Sequence, residues 1–570
     1  MATIAENVVE TLGASGVKRV YGVVGDSLNG FTDAIRDSDI EWVHVRHEEV
    51  AAFAASAEAA LTGELAVCAG SCGPGNLHLI NGLYDAQRSR VPVLAIAAQI
   101  PGGEIGSGYF QETHPVELFR ECSVYVEDVR SAEQMPRVLR IAMREALSKR
   151  GVAVLVVPGE IFLETTKAAA EVIVESKSHQ VPVEADLVQA AKLLNDCKKV
   201  TILAGAGAEG AHDELVALAD RLQAPIVHAL RGKEFIEYDN PFDVGMTGLL
   251  GFESGYRAME ACDTLLMLGT DFPYQQFFPE DATIIQVDIR GEQIGRRTPV
   301  DLGLVGGVKE TIDHLLPKLQ KNKSSKHLKA MLKHYGKTRK NLDDLATPSR
   351  RTIHPQYLTR LIDEGASDDA VFIPDVGSPV IMASRHLTMN GKRRLIGSFI
   401  HGSMANALPQ AIGAQLSHPD CQVIALAGDG GLAMLMGDLL TLTTYDLPVK
   451  VVVYNNSSLN FVELEMKAAG FVTHGTGLDN PNFASLAEAI GMKGFRVEKS
   501  KDLPRAVEDF LAHDGPAILD VTTERQELTL PPTIDAEQVK GFTMYAVRTV
   551  LDGKGAELVD LAKANLRQLF

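Results

Sequence analysis

Acidic and amide side chains follow two neighbouring predicted strands in the last third of the chain. One apolar run ends in Gly428-Asp429-Gly430-Gly431, and the next ends in Asn455-Asn456, about one β-α-β step later. Ligands bind at the carboxyl ends of strands in open parallel sheets, so we expect Asp429 and Asn456 to lie at one edge. Their oxygens suit Mg²⁺, which prefers one or two carboxyl ligands plus phosphates, and glycine amides can approach an anion. The spacing predicts a site for Mg²⁺ and a phosphate group, although the glycine run alone is also typical of a plain turn.

Composition sets broad limits on the class of protein. The 570 residues are too many for one core and predict about three domains, and 45% apolar residues with a mean hydropathy of +0.02 are typical of a soluble globular protein. The formal net charge of −19 argues against a nucleic-acid partner, because phosphate binding requires basic patches. Neither a signal peptide nor an apolar run of the roughly 20 residues that span a bilayer is evident. The six cysteines have neither CxxC nor metal-ligand spacing, which predicts reduced thiols in a cytoplasmic protein. They are Cys68, Cys72, Cys122, Cys197, Cys262 and Cys421.

Short β-branched runs alternate with amphipathic stretches along the whole chain, which predicts the α/β class with three doubly wound parallel-sheet domains. We place the domains at residues 1–170, 185–335 and 350–530, followed by a C-terminal amphipathic tail at 531–570. A polar stretch separates the first two domains. A basic segment from Lys318 to Arg351 is typical of a solvated helical linker between the second and the third.

The combination of Gly428-Asp429-Gly430-Gly431 with Asn455-Asn456 resembles the thiamine diphosphate enzyme superfamily. The resemblance implies that Asp429, Asn456 and the backbone carbonyl of Ser458 bind Mg²⁺. It also implies that Gly430 and Gly431 lie against the diphosphate of the cofactor. The first of the three domains would then bind the pyrimidine ring, and the third the diphosphate.

A second motif, Arg46-His47-Glu48-Glu49, precedes an alanine-rich helix and resembles the segment that carries the activating glutamate in this superfamily. The resemblance assigns Glu48, not Glu49, to promote the pyrimidine tautomer that deprotonates the thiazolium ring. Taken alone, Glu48 is more typical of the first turn of an amphipathic helix, where the helix dipole favours a carboxylate; the metal motif elsewhere in the chain favours the activating role.

A third segment, from Gly402 to Gly413, resembles the one that supplies the apolar wedge beneath the bent cofactor. Met404 would be the wedge, and the Gly402 carbonyl would accept from the 4′-amino group. Val376 and Ser403 complete the cofactor contacts that the resemblance implies. A methionine on an apolar helix is more often core packing. Because Glu48 and Asp429 belong to different domains, the superfamily arrangement puts one site between two chains and predicts a homo-oligomer, of which a tetramer is our expectation.

The middle domain contains Gly205-Ala-Gly-Ala-Glu-Gly210, which fits GxGxxG, but the next predicted strand ends without the acid that binds an NAD ribose. A glycine turn for packing is the alternative. Over nearly its whole length the chain is similar to the bacterial pyruvate:quinone oxidoreductase family, and the resemblance is carried by Gly106–Glu112, His228–Lys233, Gly245–Leu250 and Phe461–Lys467. It implies that this domain binds FAD. The implied contacts are Thr247, Gly248, Leu249, Leu250, Thr270, Asp271, Phe272, Pro273, Tyr274 and Asp288.

The resemblance implies oxidative decarboxylation of pyruvate to acetate and CO₂, with electrons passing from the thiamine-bound substrate to FAD and on to a membrane quinone. Phe110 and Phe461 would line the gap between the cofactors and Gln111 would contact pyruvate, although each Phe could equally be core. Phosphate-dependent pyruvate oxidase and acetolactate synthase remain alternatives; the latter usually has a late tryptophan, whereas Trp42 is the only one here. A non-enzymatic scaffold is disfavoured because Glu48, Asp429 and Asn456 are all present.

The last fifteen residues form one apolar and one charged arc when projected on a helix. The apolar arc holds Leu558, Val559, Ala562, Leu566, Leu569 and Phe570, and the charged arc holds Asp560, Lys563 and Arg567, with Asn565 interrupting the first. A terminal helix docked on its own protein is one interpretation. The resemblance favours another, a tail that binds a phospholipid surface and puts the enzyme at the inner face of the cell membrane as a cytoplasmic, peripheral protein.

Overall fold

A computed structural model describes residues 1–527, 536–551, 558–562 and 564–565, with the side chains of 536–541 left out. Three six-stranded parallel sheets follow one another along the chain, each flanked by helices, so the predicted α/β class is confirmed. Most strands are buried along their whole length, as expected for parallel sheets covered on both faces. We call the three bodies the N-terminal, middle and C-terminal units.

The N-terminal unit has the strand order β3-β2-β4-β5-β7-β6, with β1 and β8 forming a separate antiparallel pair. Its strands are β1 (Ala2–Thr3), β2 (Arg19–Gly22), β3 (Glu41–His44), β4 (Ala66–Gly70), β5 (Val93–Gln99), β6 (Tyr125–Asp128), β7 (Val152–Pro158) and β8 (Thr165–Thr166). Its helices are α1 (Ile4–Ala14), α2 (Asn29–Arg36), α3 (Glu48–Thr62), α4 (Pro74–Ser89), α5 (Pro115–Phe119) and α6 (Met135–Lys149).

The middle unit has the order β11-β10-β9-β12-β13-β14, which reverses direction between β9 and β12. Such a switch point leaves a crevice at the carboxyl ends of the strands. Its strands are β9 (Val200–Ala204), β10 (Ile226–His228), β11 (Asp243–Met246), β12 (Thr264–Leu268), β13 (Thr283–Asp288) and β14 (Leu302–Val305). Its helices are α7 (Glu184–Asp196), α8 (His212–Leu222), α9 (Lys233–Ile236), α10 (Glu253–Glu260), α11 (Val308–Leu315) and α12 (Lys326–Leu345).

The C-terminal unit has the order β16-β15-β17-β18-β20-β19, so β17 and β18 are adjacent. Its strands are β15 (Val371–Pro374), β16 (Arg394–Leu395), β17 (Val423–Gly428), β18 (Lys450–Asn455), β19 (Lys493–Val497) and β20 (Ala517–Thr522). Its helices are α13 (Pro355–Gly365), α14 (Ser378–His386), α15 (Ala407–Ser417), α16 (Asp429–Leu435), α17 (Leu439–Thr444), α18 (Asn460–Ala468), α19 (Phe483–Ala489) and α20 (Leu503–Leu511), and α21 (Ala536–Leu551) follows.

One apolar core joins the N-terminal and C-terminal units through the packing of α3 against α15. The two helix backbones lie so close that a Cβ atom on Gly413 would collide with the Ala54 carbonyl. The alanines of α3 and the glycine of α15 therefore permit this contact. It holds the first residue of α3 in a defined position relative to the C-terminal unit.

The basic segment that the sequence assigns to a solvated linker is largely the helix α12. Its side chains at His327, Leu328, Met331 and Leu342 are buried against the middle unit, so only one face is solvated. The predicted helix is present, but the segment is not a solvated linker, because apolar residues recur at helical spacing between the lysines and pack on the middle unit. Within the described residues, no helix combines the length and the apolar character that crossing a bilayer requires.

Candidate active site

Asp429 begins α16 directly after β17, and its carboxylate is only 3% exposed. Oδ1 accepts from the Gly430 N–H at 2.9 Å, and Oδ2 accepts from the Ser457 N–H at 2.7 Å and from Asn480 Nδ2 at 2.8 Å. Burial raises the pKa of Asp429, and these hydrogen bonds oppose the rise. Asn480, which the sequence reading missed, therefore helps to hold the carboxylate in place.

Asn456 and Ser458 lie beside Asp429, just past the end of β18. Asn456 Oδ1 accepts from the Ser458 N–H at 2.9 Å. An isolated bridge joins Ser458 to Gly477, but its hydrogen bonds run to the carbonyls of Ser457 and Thr476, so the bridge does not use the Ser458 carbonyl. A carboxylate, an amide oxygen and a peptide carbonyl thus meet at one sheet edge, and this all-oxygen set fits Mg²⁺.

The glycines after Asp429 are required by close packing. A Cβ atom on Gly430 would lie 2.7 Å from Leu459 Cδ2 and 3.6 Å from Met404 Cε, and one on Gly431 would collide with Asp375 Oδ2. Backbone can therefore approach a ligand here where side chains cannot. The contact also puts Met404, the predicted wedge, beside the glycine turn.

Asp375 is a buried carboxylate that ties the segments around the site together. It accepts backbone hydrogen bonds from Val376, Ala405, Asn406 and Gly428, which oppose the effect of burial, and burial raises its pKa to about 7. Val376, a predicted cofactor contact, thus lies next to the glycine turn. Asp375 is not among the predicted site residues, although it follows the buried strand β15 in the same way as Asp429 follows β17.

The segment from Gly402 to Ala405 has an unusual backbone. Gly402 and Ala405 have φ angles of +77° and +67°, and the latter is uncommon for a residue with a side chain. The Ser403 N–H donates to Ser398 Oγ at 3.0 Å, and the Ser403 hydroxyl donates to the Met404 carbonyl at 2.9 Å. These contacts fix the conformation from which Met404 extends.

Glu48 is the first residue of α3 and is 8% exposed. Its Oε2 lies 2.9 Å from His78 Nδ1 on α4, and a Cβ atom on Gly75 would lie 3.0 Å from its Oε1. The structure therefore directs Glu48 toward the loop before α4, within its own unit. His78 is not among the predicted site residues. Its position two residues after the Gly73-Pro74-Gly75-Asn76 turn is the sequence feature that could have indicated it.

Asn81, also on α4, joins the N-terminal unit to the wedge segment. Its Nδ2 donates to Glu49 Oε1 at 2.7 Å and to Ser403 Oγ at 2.9 Å, and its Oδ1 lies 2.8 Å from His401 Nε2. One amide thus contacts both the first turn of α3 and the segment that carries Met404. Nothing in the sequence pattern pointed to this residue.

Phe110 and Gln111 lie on a loop of the N-terminal unit that Glu112 stabilises. The Glu112 carboxylate accepts hydrogen bonds from several backbone N–H groups. The bond from Gly106 contributes most to lowering the pKa of Glu112. Gln111 has a φ of +63° and its Oε1 accepts from Cys72 Sγ at 3.3 Å. Phe110 is 78% exposed, whereas Phe461 packs on a core of the C-terminal unit. The chain brings Gln111 to the loop before α4 but does not bring the two phenylalanines together.

In the middle unit, the predicted flavin contacts lie at the carboxyl ends of β11, β12 and β13. These residues are Thr247 to Leu250, Thr270 to Tyr274, and Asp288. Phe272 packs against Tyr274 with ring centroids 5.5 Å apart, and Asp271 is paired with Arg297 at 2.9 Å. The structure therefore gathers all three segments at one sheet edge.

Two observations on this edge concern its packing. Gly207, in the turn after β9, lies so close to Gly269 that a Cβ atom on Gly207 would be 2.7 Å from the Gly269 Cα. This close contact is the packing role that was the alternative interpretation of the GxGxxG run. Arg385 of the C-terminal unit donates to the Leu250 carbonyl at 3.0 Å and to that of Gly251 at 3.3 Å. Thr247 Oγ1 is buried and has no hydrogen-bond partner among the described residues.

The three parallel-sheet units and the oxygen cluster at the carboxyl edge of the third sheet are typical of α/β proteins that bind a ligand at that edge. Three family models match the chain, described as the N-terminal TPP binding domain, the central domain and the C-terminal TPP binding domain of thiamine pyrophosphate enzymes, at residues 2–118, 187–315 and 375–521. The chain belongs to this family and is a thiamine diphosphate-dependent enzyme.

Similar curated proteins support the same assignment. A putative thiamine pyrophosphate-containing protein of Bacillus subtilis, YdaP, is 38% identical over 574 residues, covering 100% of this chain and 99% of the relative. The pyruvate oxidase of Lactiplantibacillus plantarum is 31% identical over 529 residues, covering 90% and 87%. An uncharacterized 42.6 kDa protein of Pseudomonas amyloderamosa is 63% identical over 351 residues, covering 61% and 89%. Acetolactate synthases are also similar.

Proposed function

We propose that this enzyme oxidatively decarboxylates pyruvate, using Mg²⁺ and FAD beside thiamine diphosphate and a membrane quinone as the electron acceptor. The overall reaction converts pyruvate, water and quinone to acetate, CO₂ and quinol. When bound, thiamine diphosphate supplies the electron sink that lets a 2-oxo acid lose CO₂. The similarity to a pyruvate oxidase over nine-tenths of the chain supports pyruvate as the substrate.

Mg²⁺ would be held by Asp429, Asn456 and the Ser458 carbonyl. Asp429 is buried, and the exclusion of water strengthens the attraction between its carboxylate and a cation. The role of Glu48 is to hold a proton at the pyrimidine ring. Its burial beside Gly75 and its contact with His78 limit its side chain to few conformations, as a proton-transfer group requires.

One observation carries the proposal of FAD beside the thiamine site: the Thr247–Leu250 segment is held against the C-terminal unit by Arg385. Leu250 and Phe461 pack on the same apolar core, and Phe461 lies three residues after Ser458. A flavin bound by this segment would therefore lie close to the thiamine edge. The Thr247 hydroxyl, which has no hydrogen-bond partner in the part of the chain that the structure describes, is a suitable donor to such a ligand.

The exposed position of Phe110 supports a site completed by a second chain. Phe110 is 78% exposed, and Tyr109 and Ile105 of the same loop are 45% and 43% exposed, so the loop presents a group of apolar side chains of the kind that another subunit covers. In a homotetramer, Phe110 and Gln111 of one chain would line the pyruvate pocket together with Phe461 of another. This arrangement explains why one chain alone leaves the two phenylalanines apart.

The proposed contact with the phospholipid surface involves the end of the chain. α21 packs on α18: Tyr545 is 1% exposed, with Lys467 Nζ 5.7 Å from its ring centroid, while Val547, Val550 and Leu551 remain exposed. Asn565, which interrupts the apolar arc, donates to the Gln526 carbonyl at 2.7 Å. Lys563, Leu566, Arg567, Leu569 and Phe570 lie outside the described residues.

Deleting Gly553 to Phe570 tests the tail and leaves α21 intact. We expect the truncated enzyme to decarboxylate pyruvate with a soluble electron acceptor but to lose reduction of quinone held in phospholipid vesicles. Undiminished quinone reduction in vesicles would reject both the tail's role and a location at the inner face of the membrane.

Phosphate-dependent pyruvate oxidase and acetolactate synthase are the competing functions. The absence of a tryptophan after Trp42, which is in β3 of the N-terminal unit, argues against the latter. The deciding experiment mixes the enzyme with pyruvate without oxygen and follows bleaching of the flavin. Reoxidation by quinone with acetate as product supports the proposal. Rapid oxygen consumption with acetyl phosphate, or acetolactate as product, would establish a competitor instead.

A further inference from the structure

Three side chains with metal-binding atoms meet where α3 and α4 begin. His47, Glu48 and His78 each offer one ligand atom, and these atoms lie within 4.8 Å of one another. His78 Nδ1 is 2.9 Å from Glu48 Oε2, and the two imidazole rings stack with centroids 4.2 Å apart and an angle of 23°. His47 and His78 are partly exposed, so solvent reaches the cluster, while Glu48 forms its buried floor.

The chemistry of this cluster differs from that of the all-oxygen cluster at Asp429. Two imidazoles and one carboxylate are a ligand set for Zn²⁺ and similar first-row ions, whereas Mg²⁺ prefers oxygen alone. In a tetrahedral zinc site, neighbouring ligand atoms lie about 3.3 Å apart, given Zn–N and Zn–O distances near 2.0 Å. The His78–Glu48 separation is close to this value, and the ligand atom of His47 lies within 4.8 Å of both.

Movement of His47 costs one local contact. Its Nδ1 accepts from the Glu49 N–H at 3.2 Å as the N-cap of α3, and binding an ion through Nδ1 would replace this hydrogen bond. A single long hydrogen bond at a partly exposed helix end is weak beside a metal–ligand bond. The cluster is thus nearly organised for an ion before it binds.

We propose that His47, Glu48 and His78 form a second cation site, selective for Zn²⁺ or a similar transition-metal ion, whose occupancy excludes the activating role of Glu48. The second half of this inference rests on the proposed function, because it requires Glu48 to face the cofactor. A carboxylate that ligates Zn²⁺ cannot also hold a proton at a pyrimidine ring. The ion therefore acts as an inhibitor that competes with thiamine diphosphate.

Zinc binding is measured by equilibrium dialysis of the full chain with excess Mg²⁺ present, so that the Asp429 cluster stays occupied by Mg²⁺. We expect one tightly bound Zn²⁺ per chain, and at least thirty-fold weaker binding in His78→Asn and His47→Asn. The matched control is His179→Asn, which alters a surface histidine paired with Glu310 at 2.5 Å; its zinc binding should equal the wild type. Equal binding by His78→Asn and the wild type would overturn the site.

A spectroscopic measurement on the unaltered chain avoids any folding defect of the variants. Four-coordinate Co²⁺ in a site with two imidazoles absorbs visible light far more strongly than six-coordinate Co²⁺. Strong absorption that saturates at one equivalent supports the site, and only weak absorption overturns it.

Competition with the cofactor is tested separately. Saturating thiamine diphosphate should weaken zinc binding at least tenfold, and zinc affinity that is the same with and without the cofactor would overturn the exclusion of Glu48. Flavin bleaching by pyruvate, measured with Mg²⁺ in a buffer from which zinc has been removed, reports on the proposed function alone. Failure of that reaction is therefore distinguishable from failure of the zinc site.

Discussion

Asn81 of the N-terminal unit donates its side-chain amide to Ser403 Oγ of the C-terminal unit at 2.9 Å. The same amide group contacts Glu49 and His401, and Tyr84 stacks on His401 with ring centroids 5.5 Å apart. The segment that carries Met404 is therefore positioned from outside its own unit. This relationship makes the docking of the two units part of the geometry of the active site.

Replacing Asn81 by Ala should weaken binding of thiamine diphosphate. Loss of hydrogen bonds worth about 1 kcal/mol each releases the segment from His401 to Met404, so the half-saturating concentration should rise roughly 5- to 30-fold. Activation of the apoenzyme by added cofactor measures this value. Asn29→Ala, at an exposed helix position of the same unit, is the control. An unchanged half-saturating concentration in Asn81→Ala would show that the contact is dispensable.

Glu48→Gln should lower the turnover number by about 10²- to 10⁴-fold, because the amide cannot take part in proton transfer. Binding of thiamine diphosphate should change much less. The neighbouring Glu49→Gln is the control: its amide oxygen can still accept from Asn81, so most activity should remain. Steady-state decarboxylation with saturating cofactor distinguishes the two variants. A larger loss in Glu49→Gln would reverse the assignment.

Gly431→Ala should destabilise the C-terminal unit by about 1–3 kcal/mol and impair cofactor binding, since the added methyl group meets the buried Asp375 carboxylate. Gly437→Ala, a few residues further on, has open space around the new methyl group and should be neutral. Melting temperatures of both variants, each with and without thiamine diphosphate and Mg²⁺, test the difference. Similar melting temperatures would mean that the turn relaxes easily.

Asp243 should make stability fall as pH rises through the weakly acidic range. Burial raises its pKa to about 7, so as the pH rises the unfolded chain releases this proton first. The free energy of unfolding should therefore decrease between about pH 4 and about pH 7, by at most about 4 kcal/mol. Asp243→Asn lacks the effect, and it also removes the contact between Asp243 Oδ1 and His228 Nε2 at 3.7 Å.

The measurement is the melting temperature of the wild type minus that of Asp243→Asn between pH 4 and pH 8. This difference should decrease as pH rises and become constant above about pH 7. A difference that stays constant over the range would show that Asp243 is already ionised in the folded protein at low pH.

The confirmed α/β class and the adjacency of β17 and β18 rest on local patterns. The strands that precede Asp429 and Asn456 are continuous apolar runs, which parallel sheets require, and the glycines between them mark a turn without room for side chains. The carboxyl ends of adjacent parallel strands must share an edge, so their meeting followed from chain order. Asp375 obeys the same rule, but one acid without a glycine run was too weak a signal to notice.

The residues that escaped prediction act between elements that are far apart in the chain, and Asn81 also acts across units. Asn81, His78 and Asn480 obtain their partners only when separate helices and loops dock, and no periodicity along the chain encodes such pairs. The basic linker was misjudged for the same reason, since burial of one face of α12 depends on the middle unit beside it.

By itself, the sequence determined the three α/β units, the apolar strands that end at Asp429 and Asn456, and the helix that begins at Glu48, because each depends on a residue pattern within one strand or helix. Only the tertiary structure decided which side chains hold those groups in position. That choice depends on how closely two backbones approach, as at the contact between the alanines of α3 and Gly413 of α15. The spacing of residues along the chain does not specify such distances.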